Sequence, residues 1–515
     1  MNPTMAGIDL GELAAKLAGI EARAVGISSI DIGRDALQRV PEVLAKLGGA
    51  EAGVTVLAES VPLDYKGADA RDVIARLVSA HAPVRVVSVP AHDGRPHADA
   101  ETIEAAVQLV TGAGALVTLG SGTLTDIGKA VSQRLGGLPH VVVQTALSVN
   151  GYADDQSVLL VDNVKRTTPA RWPDALVADT YLLSGAPARL NAAGVGDLMA
   201  MFTAPADWQL ATMLDMGSGY SPVLVGMVRD CGPDLLRAAP LLAGRDPEAI
   251  ECVARILTLS GITMGAAGST APSSGAEHTI SHLIEMAGKQ HGTAEAFHGA
   301  QVGASTVLAA LVWRRTRSIL AGGAVRPRFP ADSEMEPVVK AAFGQLDPSG
   351  AMGEECWRLY RAKLARWRSN RDRIMATDWT AVDAAAAPLL AEPEAVIDAL
   401  AAAGSATRFG ELDPPVPPGT VRWALTNCHL MRDRFTIVDL AWFLGAWDAG
   451  VAEDVLSEAG RLGAGLCSRR RQPRTGSSLA TCWTSTAPSI SATPPSPVRL
   501  TRSAGCANWA AAWYS

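Results

Sequence analysis

Hydrophobic and polar positions change rhythm twice along this chain. Between residues 35 and 47, apolar side chains fall at Leu37, Val40, Val43, Leu44 and Leu47, one face of a helix that stops at Gly48-Gly49. The rest of residues 1–50 reads as a helical or irregular lead-in. Short apolar runs then alternate with amphipathic stretches. The runs are 54–58, 84–89, 115–119 and 141–144, and the helices between them are 70–79, 99–111 and 126–134. Runs that are apolar throughout belong to strands buried on both faces, so this part predicts a parallel sheet with helices on either side. Residues 158–161 and 175–177 read as further strands, with Lys165 and Arg166 on a solvated connection.

From about residue 187 the period becomes helical and stays so to about 465, with breaks at 217–221, 347–349 and 414–418. The pattern therefore predicts an α/β domain over 1–185, an all-helical domain over 186–465 and a tail over 466–515, without internal repeats. From Cys467 the chain has no Asp, Glu or Lys but six Arg, three of its seven Cys and three of its twelve Trp. That stretch reads as disordered, or as the product of a shifted reading frame, and carries no functional assignment.

Composition narrows the classes. The 515 residues are 48% hydrophobic and 19% charged, enough for two or three packed cores. Acids outnumber bases by 52 to 45, a formal charge of −7, which argues against a nucleic-acid partner. The sequence shows neither an uninterrupted apolar run of membrane-spanning length nor a signal peptide, and its cysteines lack metal-type spacing, so a cytoplasmic location is expected.

Two turns sit where α/β sheets bind ligands, beyond the carboxyl ends of strands. Gly120-Ser121-Gly122-Thr123-Leu124-Thr125-Asp126 opens a helix, and its backbone N–H groups would suit a pyrophosphate, although a Gly-Ser-Gly turn is common in itself. Thr145-Ala146-Leu147-Ser148-Val149-Asn150-Gly151 follows the next strand; its polar groups suit either a ligand or a loop cap. Glu59, after the first run, is a candidate for a ribose hydroxyl. Farther on, His278 and His282 are spaced i, i+4, with His291 and His298 close behind, so four of the nine histidines share one short segment. The pair serves equally as packing or as metal ligands. Gly194-Val195-Gly196 reads as a turn with Asp197 just inside the helix that follows. That acid would complement the helix dipole, or supply the oxygen that two imidazoles need to hold a catalytic metal with an open position.

In chain order these motifs resemble the iron-containing alcohol dehydrogenase superfamily, and within it the glycerol-1-phosphate dehydrogenase branch. Phe202-Thr203-Ala204, Asp207-Trp208 and Met431-Arg432-Asp433-Arg434-Phe435-Thr436 add local likeness. The resemblance implies a Rossmann-like nucleotide-binding domain and a helical metal- and substrate-binding domain, the fold shared with dehydroquinate synthase. It implies NAD or NADP held by Gly120, Gly122, Thr123, Leu124, Thr125 and Asp126, by Thr145, Ala146, Leu147 and Ser148, and by Asp154. It implies one divalent ion, zinc foremost and iron or nickel as alternatives, on Asp197, His278 and His298, with substrate on Asn150, Asp197 and His282. The branch carries Asp where this chain has Asn150 and a small hydroxyl residue where it has Asp154. The expected activity is interconversion of a secondary alcohol and a ketone on a polyol or polyol phosphate, in a homo-oligomer. A carbocycle-forming synthase and an inactive nucleotide-binding homologue are the alternatives; for the synthase, cations near the site look sparse.

Overall fold

The computed structural model of the chain describes residues 8–91, 96–161, 164–322 and 325–466. The described residues form one compact unit. The tail from Cys467 onward lies outside the described residues.

Ten strands run in chain order: β1 (Ser29–Gly33), β2 (Val54–Ala58), β3 (Asp64–Tyr65), β4 (Ala68–Asp69), β5 (Val84–Ser88), β6 (Ala115–Gly120), β7 (His140–Gln144), β8 (Gln156–Val161), β9 (Val164–Pro169) and β10 (Ala175–Asp179). Six form one parallel sheet in the spatial order β1-β10-β7-β6-β2-β5, while β3–β4 and β8–β9 are antiparallel pairs. Every residue of β2, β6, β7 and β10 is buried, as their unbroken apolar runs require. The edge strands β1 and β5 are only partly buried. Helix α1 (Leu10–Leu17) precedes the sheet, and helices α2 (Val40–Leu47), α3 (Ala70–Ser79), α4 (Ala100–Val110) and α5 (Gly122–Arg134) accompany it. Separate apolar clusters, one around Leu37, Val40 and Ile74 and one around Ile103, Leu124 and Ile127, pack against the sheet residues.

Two sequence expectations need correction here. The lead-in contains a strand, because Ser29–Gly33 pairs in register with Ala175–Asp179 at the sheet edge; its two isoleucines flanking Asp31 are too short a pattern to announce it. Lys165 and Arg166 lie in β9, not on a connection, since the backbone of 164–169 pairs with 156–161.

The helical part begins with α6 (Thr180–Gly185), α7 (Ala188–Leu198), α8 (Ala204–Met213), α9 (Pro222–Arg229), α10 (Gly232–Ala238), α11 (Pro247–Ala267), α12 (Ala276–Gln290) and α13 (His298–Ala321), and continues to Ala449–Arg461. Its core also takes in Leu13 and Leu17 of α1 and Ile27. Helix α11 is long and apolar enough to cross a membrane, yet most of it is buried inside this core.

The Gly194-Val195-Gly196 segment is not a turn. It lies inside α7, which places Asp197 at the C-terminal end of a helix, where no dipole favours an acid. Glycine within a helix is destabilising by itself. The compensation is close packing: a Cβ on Gly196 would stand 2.3 Å from the carbonyl oxygen of Gly299, and one on Gly299 would stand 2.1 Å from that of Ala193. Helices α7 and α13 thus touch backbone to backbone. Gly196→Ala or Gly299→Ala should cost about 1–3 kcal/mol or more and loosen the site described next. Gly460, exposed in the last helix with nothing within 4 Å of where a Cβ would stand, should instead accept alanine at no cost. Thermal melts of the three variants, with metal content, check the contrast.

Candidate active site

Helix α12 carries His278, His282 and Glu285 at i, i+4 and i+7, so all three project from one face. Its N-terminus is clamped by buried acids. Asp207 accepts the Ala276 N–H at 2.8 Å and the Ile437 N–H at 2.8 Å, tying α12 to the helix Ile437–Phe443. Burial, and then the charge of Glu277, push the Asp207 carboxyl well above the usual range. Glu277 is itself fully buried; it accepts from Thr203 Oγ1 at 2.8 Å and faces His278 Nδ1 at 3.0 Å.

The close contact of α7 and α13 brings Asp197 and His298, the first residue of α13, up to this face. Ligand atoms of Asp197, His278 and His298 lie within 4.8 Å of one another. His278 Nε2 is 3.5 Å from Asp197 Oδ1, matching the separation of roughly 3.3–3.6 Å between donors on bonds of ~2.0–2.2 Å at a tetrahedral ion. The donors are also poised. His298 Nδ1 is 2.9 Å from Glu285 Oε1, and His282 Nδ1 is 3.1 Å from Glu285 Oε2. Carboxylates only accept, so each Nδ1 carries a hydrogen, and in the neutral ring Nε2 is then the atom with the lone pair. Asp197 Oδ2 accepts the Asn150 N–H at 2.9 Å, whereas Oδ1 is buried without a hydrogen-bond partner. An orphaned carboxylate oxygen facing imidazole nitrogens fits a divalent cation. His282, Glu285 and His298 also cluster, but Glu285 spends its oxygens on the two Nδ1 atoms, the usual outer partner of a metal-binding histidine. His291 is exposed at the end of α12.

Burial works against the charge of His278, but Asp197 and Glu277 outweigh it and raise the ring to about 9. For His282 burial wins over Glu285, and the ring falls to about 3.

At the carboxyl ends of the strands, the chain leaves β2 for the edge strand β5 and returns to β6 on the other side of β2. The crevice between β2 and β6 is therefore a topological switch point, where α/β sheets bind ligands. Glu59 closes it from the β2 side, accepting both the N–H (2.9 Å) and the hydroxyl (2.7 Å) of Ser121. The expected loop Gly120–Asp126 lies across this crevice as the end of β6 and the start of α5, whose first turn has no side-chain cap. Thr145, Ala146, Leu147 and Ser148 run on from β7 toward α7, whose last turn carries Asp197. The Leu147 N–H donates to Asn191 Oδ1 (2.9 Å) on α7, and Ser148 pairs with Tyr152.

Two of the expected site residues are engaged otherwise. The Asp154 carboxylate forms a buried ion pair with the Lys129 ammonium, which also donates to the carbonyls of Gly151 (2.7 Å) and Gln156 (2.9 Å), so that Asp154 is committed to holding this stretch of chain in place. Asn150 serves Asp197 through its backbone, and its side-chain amide donates to Ser260 Oγ at 3.0 Å.

The iron-containing alcohol dehydrogenase family pattern matches residues 31–187. A glycerol-1-phosphate dehydrogenase (NAD(P)+) of Methanospirillum hungatei is 34% identical over 254 residues, covering 47% of this chain and 68% of that protein. One from Bacillus licheniformis is 27% identical over 412 residues, 80% and 87% of the two chains. The chain belongs to the iron-containing alcohol dehydrogenase superfamily. Solved structures agree on the fold: a probable glycerol dehydrogenase from Sinorhizobium meliloti (TM-score 0.54, 18% identity, 86% of this chain and 99% of that one) and a maleylacetate reductase from Agrobacterium tumefaciens (0.52, 18%, 85% and 97%).

Within this superfamily member, several site residues escaped the sequence reading. Glu285 left a trace, an acid on the same helix face as the two histidines. Thr203 and Asp207 left only their motif likeness, and Glu277 was not singled out. Arg432 and Arg434 correct the view that cations near the site are sparse. Arg434 donates to the Ser274 carbonyl and to Thr270 Oγ1 (2.6 Å), and Arg432 Nη2 donates to Thr279 Oγ1 at 3.2 Å.

Glu285→Gln should lower metal affinity about 10- to 100-fold, read by competition with a chelating dye. The raised His278 has a second consequence. A histidine stabilised in its charged form contributes most below its ordinary pKa of 6.5, and that contribution is lost as pH rises through about 9. Metal-free protein should therefore melt progressively lower from pH 6.5 to 9, while the melting shift produced by added Zn²⁺ grows over the same range.

Proposed function

We propose that this chain is a metal-dependent, NAD(P)-linked dehydrogenase that interconverts a secondary alcohol and a ketone on a short polyol phosphate, with glycerol 1-phosphate and dihydroxyacetone phosphate as the pair. The observation that carries the proposal is the convergence of Asp197, His278 and His298, with Asp197 Oδ1 buried, without a hydrogen bond, and 3.5 Å from His278 Nε2. The named activities of the Methanospirillum and Bacillus relatives support the choice of substrate.

In this reading Asp197, His278 and His298 hold a divalent ion, whose Lewis acidity would favour the alkoxide in one direction and polarise the ketone in the other. Glu277 and Glu285 fix the imidazoles through their Nδ1 hydrogens, so ring orientation is set before any ligand arrives. His282 stays neutral, hydrogen-bonded through Nδ1 to Glu285, and its Nε2 accepts a substrate hydroxyl. His298 is about a quarter exposed while His278 and Asp197 are buried, which leaves the approach to the ion on the α13 side. The sheet-end loops, Gly120–Asp126 and 145–148, would hold a nicotinamide dinucleotide, which would supply the hydride acceptor or donor. Leu147 and Asn150, tied to α7 at Asn191 and Asp197, set that loop against the ligand helix and keep the two halves of the reaction in register. The division near residue 185 then separates nucleotide-holding from metal-holding residues.

The test is turnover with polyols and polyol phosphates, in both directions, with NAD and NADP. His278→Ala should abolish turnover and metal retention while NAD binding persists. Full activity and full metal content in that variant would sink the assignment.

A further inference from the structure

Arg432 is a part-buried cation beside the proposed active site, and its surroundings differ from those of the chain's fully buried lysines. Lys129 has Asp154 and Lys363 has Asp439 as ion-pair partners. Among the described residues, no carboxylate stands within ion-pair distance of Arg432. Its sole hydrogen bond there runs from Nη2 to Thr279 Oγ1, on the residue directly after His278. The Arg432 Nε is buried with no partner. Arg434, two residues on, is committed to Ser274 and Thr270 and acts as a brace for the chain entering α12.

A guanidinium largely withdrawn from water is unfavourable without an anion to meet it. Among the described residues no carboxylate reaches it as an ion-pair partner; Asp433, Glu277 and Asp439 act on it only from longer range, and the nearest helix face is the one that carries His278 and His282. The acids that would repel an incoming anion at the 150–155 loop are already neutralised, Asp154 by Lys129 and Asp155 by Arg23 at 3.3 Å. Asn150 itself is uncharged.

We infer that Arg432 is the specificity residue that receives the phosphate monoester of the substrate, its planar fork matching two phosphate oxygens while the substrate's hydroxyls lie at His282 and the ion. This rests on the dehydrogenase reading above and names the group that separates a polyol phosphate from a free polyol.

Arg432→Gln and Arg432→Lys, compared with the parent at equal metal content, test it. Loss of a charge-assisted hydrogen bond should reduce kcat/KM for glycerol 1-phosphate about 10- to 150-fold in the Gln variant, chiefly through KM. Turnover of glycerol should stay within about twofold, and calorimetric titration with inorganic phosphate should show binding lost. Arg432→Lys keeps the charge without the fork and should retain part of the affinity; it decides the matter if the Gln variant fails to fold. Unchanged phosphate binding, an equal loss on glycerol and its phosphate, or an effect confined to the KM for NADP would each overturn the inference. Should the parent oxidise neither alcohol, the dehydrogenase reading falls, while the phosphate titration still decides for or against Arg432.

Discussion

Everything about the site depends on how closely α7 and α13 approach. Gly196 and Gly299 meet with no room for a methyl group, so the two backbones define the distance between Asp197 and His298 directly, without intervening side chains that could adjust. Both residues flank the contact, Asp197 directly after Gly196 and His298 directly before Gly299. The cost of putting two glycines in the middle of α7 is therefore linked to placing a carboxylate at the end of that helix.

Around that contact the acids are layered by role. Asp197 has one oxygen held by the Asn150 N–H and the other turned toward His278 Nε2, 3.5 Å away. Glu277 and Glu285 stand behind the imidazoles, and Asp207 stands behind the start of α12. Burying four carboxylates in one neighbourhood is electrostatically unfavourable. It is tolerable because each is hydrogen-bonded to N–H, hydroxyl or imidazole donors, and because cations complete the set. The two arginines from the far end of the chain belong to this balance, one as a brace and one with donors to spare.

Much of the fold was legible in the chain. The runs of β2, β6 and β7 and the helix α3 stand out because central parallel strands are apolar on both faces and their covering helices on one. The strand β1 was not legible: an edge strand of five residues around a buried Asp31 has too little pattern, and only pairing with β10 defines it. The β9 strand was hidden because its Lys-Arg-Thr-Thr composition resembles a turn. The turn read into Gly194-Val195-Gly196 failed for an instructive reason. Glycine is a breaker in a chain considered alone, but inside a packed bundle it is also the residue that lets another backbone come near.

By itself the sequence determined the family of motifs, the alternation that makes a parallel sheet, and the identity of Asp197, His278, His282 and His298 as a group with chemical capacity. Spacing along one helix put His278 and His282 on a shared face; Asp197 and His298 joined them only through the resemblance of the motifs. Tertiary structure alone decided the rest: that Asp197 ends a helix, that Glu285 serves two rings at once, that Asp154 answers to Lys129, and that Arg432 arrives beside Thr279 from 153 residues away. Each of those pairings joins groups on different elements, or gives one group two partners. Periodicity reports which face a residue occupies; it carries no record of what the fold will set against that face.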